Sequence, residues 1–403
     1  HKSIVTIYKF LIKRISMKQK LYTSIGLMSG TSMDGVDASI ISSVDGIRFD
    51  EKFNRFYEYD KGLYQKISNI RDNIFTSKDL KKQKKELNAL EKEITLFHAK
   101  VVDDVSQTIN ESNIPEFEII GFHGQTMFHS PKEKISVQLG DGKLLSQLTK
   151  KIVVYDFRQN DLINGGQGAP LTPVFHESLR NKICENAPVI FINIGGITNV
   201  TCFHSKNKYD ESMFASDIGP GNCLIDEWMR KNSKKRYDKN GLTAKSGKIN
   251  ELILNQALDN FETRFNSSLD IKDFDISFVR GLSLEDGAAT ITNFTAEIIS
   301  SNLKDLLNKN EFEPDDHIHL NFIICGGGRK NDCLMNFLTQ YISKKIGYKN
   351  FQLIDEHGID GDFIESQAFA FLAIRSFLEL PISFPKTTGC NKPCTGGIIV
   401  SNF

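Results

Sequence analysis

One stretch near the start constrains the chain most: Ile25-Gly-Leu-Met-Ser-Gly-Thr-Ser-Met-Asp-Gly-Val-Asp-Ala-Ser-Ile-Ile41. An apolar run leads into a turn containing Gly30, Thr31, Ser32, Met33, Asp34 and Gly35, after which Val36, Ala38 and Ile40 alternate with polar residues. That pattern predicts a β-hairpin with a polar tip. Glycine lets the backbone turn tightly and come close to a ligand, and successive N–H groups with Ser and Thr hydroxyls can surround phosphate oxygens. Asp34 or Asp37 is then placed to hold a magnesium ion through water. An ordinary Gly-rich hairpin turn is the other reading of this stretch alone.

A second stretch of the same kind follows much later: Val189-Ile-Phe-Ile-Asn-Ile-Gly-Gly-Ile-Thr-Asn-Val-Thr-Cys-Phe203, with Gly195 and Gly196 at its turn. Two matching turns in two halves of one chain predict duplicated α/β domains facing each other across a cleft. A third Gly-rich turn, Gly326, Gly327 and Gly328, lies between a buried strand and a helix start in Phe322-Ile-Ile-Cys-Gly-Gly-Gly-Arg-Lys-Asn331.

A length of 403 residues suits two domains with sizeable cores. Lys+Arg and Asp+Glu both total 50, so no whole-chain field draws the protein to nucleic acid or an anionic membrane. A small neutral or singly charged substrate fits that balance better. The seven cysteines, at 184, 202, 223, 325, 333, 390 and 394, are scattered among strands and helices, unlike a secreted disulfide framework. A reduced, cytoplasmic protein is expected. Cys390 and Cys394 lack a second ligand pair at zinc-like spacing. Residues 1–21 read as an extension, with Met17 a natural start and no span or cleavage site for a membrane or export signal.

Along the chain, a third strand is expected over Phe53–Tyr59 and one long helix from Ser77 to Asn110. The strand Phe117–Gly121 runs into Phe122-His123-Gly124-Gln125-Thr126, placing His123 where open α/β sheets bind ligands; a hydrogen-bonded structural histidine is equally consistent. The densest polar loop, Asp156 to Pro173, carries Arg158, either a fork for phosphate or carboxylate or a brace for the loop. Asp217 precedes the Gly219-Pro220-Gly221 turn and a helix, so it is a cleft acid or an N-cap. A strongly amphipathic helix is expected over Leu284–Leu307 and a buried strand over Ile318–Ile324. Glu365 sits in the first turn of a helix from about Phe363 to Leu378, a site residue or simply a helix-start charge.

The paired hairpins and the later Gly turn resemble the sugar-kinase, actin and heat-shock-chaperone superfamily. Met28-Ser-Gly-Thr-Ser-Met-Asp-Gly-Val-Asp37, Gly121-Phe-His-Gly-Gln-Thr126, Asp156-Phe-Arg158 with Asp161, and Gly165-Gly-Gln-Gly-Ala-Pro-Leu171 more narrowly resemble the anhydro-N-acetylmuramic acid kinases. So do Asn193-Ile-Gly-Gly196, Asp217-Ile-Gly-Pro-Gly-Asn222, Cys325-Gly-Gly-Gly328 and Glu365 ahead of Ala368-Phe-Ala370. The match runs from about Tyr22 to Ile399. Ile163 and Asn164 stand where that family commonly has smaller residues.

The resemblance implies two actin-like, ribonuclease H-like domains around a nucleotide cleft, residues 22–160 with 363–403 forming one and 161–362 the other. It implies ATP with Mg²⁺ as cofactors and a small sugar as substrate, with a homodimer left open. O6 of 1,6-anhydro-N-acetylmuramic acid would take the γ-phosphoryl group as water opens the 1,6 bridge, a step in murein turnover. Asp217 would activate the water, Glu365, His123 and Arg158 would bind the sugar, and Gly30 to Asp37 would hold the ATP phosphates. Gly195 and Gly196 would face those phosphates, and Gly326 to Gly328 would lie near the nucleoside. The chain has no Gly-x-x-x-x-Gly-Lys-Ser/Thr loop and no Gly-x-Gly-x-x-Gly after a strand. A kinase of another small sugar or acid, and a nucleotide-gated switch without an acceptor, are the alternatives on the same fold.

Overall fold

The computed structural model describes residues 20–183, 188–204, 213–261, 268–311, 320–347 and 350–403. Most of the expected N-terminal extension, Met17 included, lies outside the described residues, as do Cys184 and residues 318 and 319. In chain order the strands are β1 (Tyr22–Ser29), β2 (Gly35–Ser43), β3 (Asp50–Glu58), β4 (Ile119–Ser130), β5 (Ile135–Leu139) and β6 (Ile152–Tyr155). They continue as β7 (Val189–Ile194), β8 (Ile197–Phe203), β9 (Met213–Pro220), β10 (Asn321–Cys325), β11 (Phe351–Leu353) and β12 (Ile398–Val400).

They form two sheets, ordered β12-β6-β4-β1-β2-β3, with β5 on β4, and β11-β10-β7-β8-β9. In each, an antiparallel meander (β1-β2-β3 or β7-β8-β9) is extended from its first strand by two parallel strands (β4 and β6, or β10 and β11). The same five-strand order occurring twice is the duplicated α/β architecture that the paired Gly turns predict.

The central strands are buried on both faces, and their two-residue period sends alternate side chains into different cores. In β7, Ile190, Ile192 and Ile194 join the core under the helices Leu284–Lys309 and Asp332–Ile346, while Val189 and Phe191 join a central core. In β1, Ile25 and Leu27 face the outer core beneath the helix Lys84–Asn110, and Met28 faces the central one. That central core draws on both sheets and on the helices Pro173–Ile183 and Ile364–Phe377.

Seating of the helix Ile364–Phe377 depends on a row of small residues. Gly26 pairs with Ser39 on one side and Gly121 on the other. A Cβ on Gly26 would lie 1.9 Å from Ser366 O and 2.5 Å from Ala370 N, and one on Gly121 would lie 2.2 Å from Phe369 O. Ser39 Oγ and Ser366 Oγ share a hydrogen bond of 2.6 Å. The helix thus rests directly on strand backbone, which fixes Glu365 in its first turn.

Three expectations change. The helix expected from Ser77 to Asn110 is two, Ser77–Lys82 and Lys84–Asn110, and a further helix, Lys61–Asp72, precedes them. The break at Gln83 falls among Lys81, Lys82, Lys84 and Lys85, where like charges one turn apart oppose continuation. The helix Leu284–Lys309 is buried on every side from Gly287 to Ala296 rather than amphipathic there. Some of its buried polar groups are bonded: Thr290 Oγ1 donates to Asp286 O at 2.8 Å within the helix, and Asn293 Oδ1 accepts from Tyr341 Oη at 2.9 Å across to the helix Asp332–Ile346. The Thr292 and Thr295 hydroxyls have no protein partner among the described residues. The strand expected over Ile318–Ile324 is Asn321–Cys325 among the described residues.

The glycine row yields a stability test by urea denaturation. Gly26→Ala is expected to cost about 2 kcal/mol or more through overpacking against helix backbone. Gly30→Ala, where the nearest atom to a new Cβ would be 3.9 Å away, should stay within about 0.5 kcal/mol of the parent.

Candidate active site

The three Gly-rich turns come together. The tips of the β1–β2 and β7–β8 hairpins touch: a Cβ on Gly196 would lie 2.3 Å from Thr31 Oγ1. Thr31 and Ser32 are exposed at the first tip, where Ser32 Oγ donates to Asp34 Oδ1 at 2.5 Å. The tip's carbonyls are anchored from behind, Gly30 O by Gln125 Nε2 and Thr31 O by Arg71 Nη1, both at 3.1 Å. Met33, with φ of 57°, holds the left-handed corner.

At the second tip, Gly195 O accepts from Asn222 N at 2.8 Å and Gly196 O from Gly221 N at 2.9 Å, so the Gly-Pro-Gly turn after β9 is bonded to it. Gly326, with φ of 80°, packs against the same hairpin, where a Cβ would lie 2.5 Å from Asn193 Oδ1. Gly328 meets Ile194 side-chain atoms, and Gly327 faces open space and is exposed.

A second group of residues converges on Arg158. Its Nη1 donates to Gly168 O at 2.8 Å and its Nη2 to His123 Nε2 at 2.9 Å. His123 Nδ1–H donates to Gly124 O at 2.7 Å, so its Nε2 lone pair faces the guanidinium. Burial, and then the Arg158 charge, hold His123 well below the usual imidazole range, keeping it neutral. Asp161 secures the loop, accepting from Gly168 N at 2.7 Å and Thr388 Oγ1 at 2.6 Å. Arg158 therefore braces the loop, and its charge is felt by three carboxylates, Glu365, Asp217 and, within the loop, Asp161.

Of these, Glu365 comes from the helix packed on the first sheet and Asp217 from a strand of the second. Glu365 accepts a long contact of 3.5 Å from Asn193 Nδ2, and burial raises its carboxyl while Arg158 opposes the rise. Asp217 lies within β9, pairs with Asn199, and is nearly buried. It is not the N-cap of the following helix, Cys223–Asn232, whose cap position is Asn222. Its Oδ2 accepts from Leu269 N at 2.8 Å and Ser268 Oγ at 3.3 Å. Burial pushes its carboxyl up to about 6 despite these bonds and Arg158. An acid titrating there is ionised at neutral pH yet basic enough to take a proton from bound water. A cavity of about 290 Å³, lined in part by Asp217, Leu269, Asp273 and Asn302, adjoins it.

Asp37 stands apart from this pair. Burial, followed by Asp34 and Glu365, pushes its carboxyl up to about 8. No hydrogen bond reaches its side chain among the described residues. A desolvated acid with acidic neighbours and no donor fits a cation as its partner. Among the described residues no group of three His, Cys, Asp or Glu is arranged to hold a metal ion, so a cation at Asp37 would take most of its ligands from phosphate oxygens and water.

Sequence reasoning passed over Asp226, in the first turn of the helix after the Gly-Pro-Gly turn. Burial pushes it up to about 7, with Arg230 opposing and Asp34 of the facing hairpin adding to the rise. The signal the sequence carried was an acid in the first turn of the helix that follows Gly219-Pro220-Gly221. Gln125 and Arg71, the anchors of the first tip, were also missed as such. Among the described residues no helix is long and apolar enough to cross a membrane.

Two sheets of the same strand order, with polar glycine turns meeting between them and buried carboxylates under the charge of one arginine, belong here to a sugar kinase, the class that the family match gives. The chain belongs to the anhydro-N-acetylmuramic acid kinase family, whose model matches residues 22–402. A Pelagibacter ubique protein named anhydro-N-acetylmuramic acid kinase is 50% identical over 388 residues, covering 96% of this chain and 100% of the relative. A Brucella canis protein of the same name is 37% identical over 386 residues, covering 94% of this chain and 99% of the relative. A more distant likeness, at 12% identity and a TM-score of 0.37, is to a ROK family glucokinase from Streptomyces griseus solved with glucose and AMPPNP; it covers 88% of this chain and 100% of that chain.

The state of Asp37 has a measurable consequence. A carboxyl raised from 3.8 to about 8 on folding binds a proton more tightly in the native state, so stability falls as pH rises between those values and then levels off. Asp37→Asn should raise stability at pH 8 by on the order of 2 kcal/mol without nucleotide or divalent ions, and flatten the pH dependence of Tm over that interval.

Proposed function

We propose that the protein phosphorylates 1,6-anhydro-N-acetylmuramic acid at O6 with ATP while water opens the 1,6-anhydro bridge, giving N-acetylmuramic acid 6-phosphate and ADP. The observation that carries this reading is the placement of Asp217 and Glu365, from opposite halves, about one cation, Arg158, in a chain whose family is named for that substrate. Residues 22–160 with 363–403 are taken as one moving body and 161–362 as the other. The return of the helix Ile364–Phe377 and of β12 to the first sheet supports that division.

In this reading Asp217 accepts a proton from water as the water oxygen bonds to the anomeric carbon. The carbon–O6 bond breaks and its electron pair stays on O6, which attacks the γ-phosphorus as ADP leaves. Asp217 then gives its proton to solvent. One departing oxygen thus serves as the phosphoryl acceptor, so both steps require the sugar to be held in one orientation. Arg158, Glu365 and His123 supply that orientation, Arg158 also keeping Asp217 ionised.

The tips at Gly30–Asp37 and Gly195–Gly196 take the phosphates through backbone N–H groups and hydroxyls, and Gly326–Gly328 borders the nucleoside. Asp37 would hold Mg²⁺, which supplies charge neutralisation at the phosphates. Dependence on ATP places the reaction in the cytoplasm, where a recycled murein fragment would meet it.

The direct test is to incubate the protein with ATP, magnesium and the anhydro sugar and weigh the product. A sugar heavier by one phosphate plus one water supports the reading. ATP binding with unchanged sugar would move the search to other acceptors. Asp217→Asn should fold and bind ATP but lose about 10²-fold or more in kcat, and near-normal turnover would remove Asp217 as the base. For the parent, kcat/KM should fall tenfold per pH unit below about 6, where Asp217 becomes protonated.

A further inference from the structure

The segment Ser268–Phe274 links the two halves at the base itself. At one end, Leu269 N and Ser268 Oγ both bond to Asp217 Oδ2, at 2.8 and 3.3 Å, leaving Oδ1 without a bond from this segment. Three residues on, Lys272 Nζ donates to Arg71 O at 3.0 Å and to Ile74 O, and lies 4.4 Å above the Phe75 ring. The Arg71 carbonyl is in the last turn of the helix Lys61–Asp72 of the first half, where partial negative charge accumulates and a lysine is favoured, and the Ile74 carbonyl follows just past its C-cap, Asn73.

Between the two ends, Asp270 and Asp273 form a reciprocal cap. Asp270 Oδ1 accepts from Lys272 N at 3.0 Å and Asp273 Oδ2 from Asp270 N at 2.7 Å. The turn is therefore stiff, and Lys272 and Leu269 cannot shift independently. On the first half, the same Arg71 whose carbonyl receives Lys272 donates to Thr31 O at the hairpin tip. A bonded path thus runs from the tip of the β1–β2 hairpin through Arg71 and Lys272 to the carboxylate of Asp217.

We propose that Lys272 is a positioning residue for the reaction: it fastens this strap to the first half, so that Asp217 is held by one oxygen and presents the other to water in register with the phosphate-binding tip. The proposal rests on the reading of Asp217 as the base. Lys272 touches neither substrate nor nucleotide; it acts through Leu269 and Ser268. The charged groups facing Asp217 are Arg158 from the first half, which a change at Lys272 leaves in place, and Asp273 from the strap, which moves with it.

Lys272→Met keeps the stem over Phe75 and removes the two donated bonds. Its kcat should fall about tenfold with the KM for ATP within about twofold, because orientation of the base is lost rather than phosphate contact. Loosening Leu269 and Ser268 removes hydrogen bonds to the ionised carboxylate, so the acid limb of kcat/KM should move alkaline, by about half a unit to one unit. Lys272→Arg should restore most of kcat and return the limb.

A stabilising role alone would lower Tm and leave the limb where it was, and that result overturns the proposal. Asp217→Asn assayed beside them separates the two ideas. If it is inactive while Lys272→Met matches the parent in kcat and pH profile, the strap inference fails by itself. If Asp217→Asn turns over normally, the base reading fails and the strap inference with it.

Discussion

The contact of the helix Ile364–Phe377 with bare strand backbone governs much of the molecule. Its Ser366 and Phe369 carbonyls lie where side chains of Gly26 and Gly121 would otherwise be, and a neighbouring hydroxyl pair between Ser39 and Ser366 sets its rotation. Close-packed interiors transmit small displacements rather than absorb them. The first helical turn carries Glu365 toward Arg158 and Asn193, while the opposite face of the helix enters the core shared with the second sheet. A helix raised by one methyl group would therefore move a carboxylate in the site and the packing between halves together.

The duplicated framework was legible because its signals are local. Strand alternation, a Gly-rich reversal and a second alternating run occur within about fifteen residues, and their repetition at Val189–Phe203 predicts a second sheet of the same order. Side-chain roles were less legible because the local sequence admits two answers in each case. An acid before Gly-Pro-Gly caps a helix as readily as it faces a cleft; only the register of Asp217 with Asn199 and its bonds from Leu269 and Ser268 decide. Arg158 reads from the sequence as a fork for phosphate or carboxylate or as a brace for the loop; its hydrogen bonds, to Gly168 O and His123 Nε2, are those of a brace, while its charge also reaches Glu365, Asp217 and Asp161.

Elsewhere the pattern misled for a physical reason. Thr290, Thr292, Asn293 and Thr295 count as polar in an amphipathic reading of Leu284–Lys309, yet they are buried. Thr290 meets its need by bonding to the carbonyl one turn back and Asn293 by accepting from Tyr341, whereas Thr292 and Thr295 are buried for their methyl groups, with the hydroxyls left without a protein partner among the described residues. The substrate lay beyond reach of periodicity and charge altogether: a neutral chain and paired Gly turns suit many phosphoryl acceptors. What narrowed it was the series of motifs in order, a family property rather than a physical derivation.

Three acids of the site illustrate how one cause produces different chemistry. Burial is the leading influence on Asp37, Asp226 and Asp217, which reach about 8, 7 and 6 respectively. Their order follows from the neighbours. Asp37 has acids around it and no donor; Asp226 has Arg230 against Asp34 and Asp238. Asp217 alone has two hydrogen bonds and Arg158, opposed by Asp273. At neutral pH Asp217 is therefore charged, while Asp37, pushed higher by burial and by the acids around it, keeps its proton.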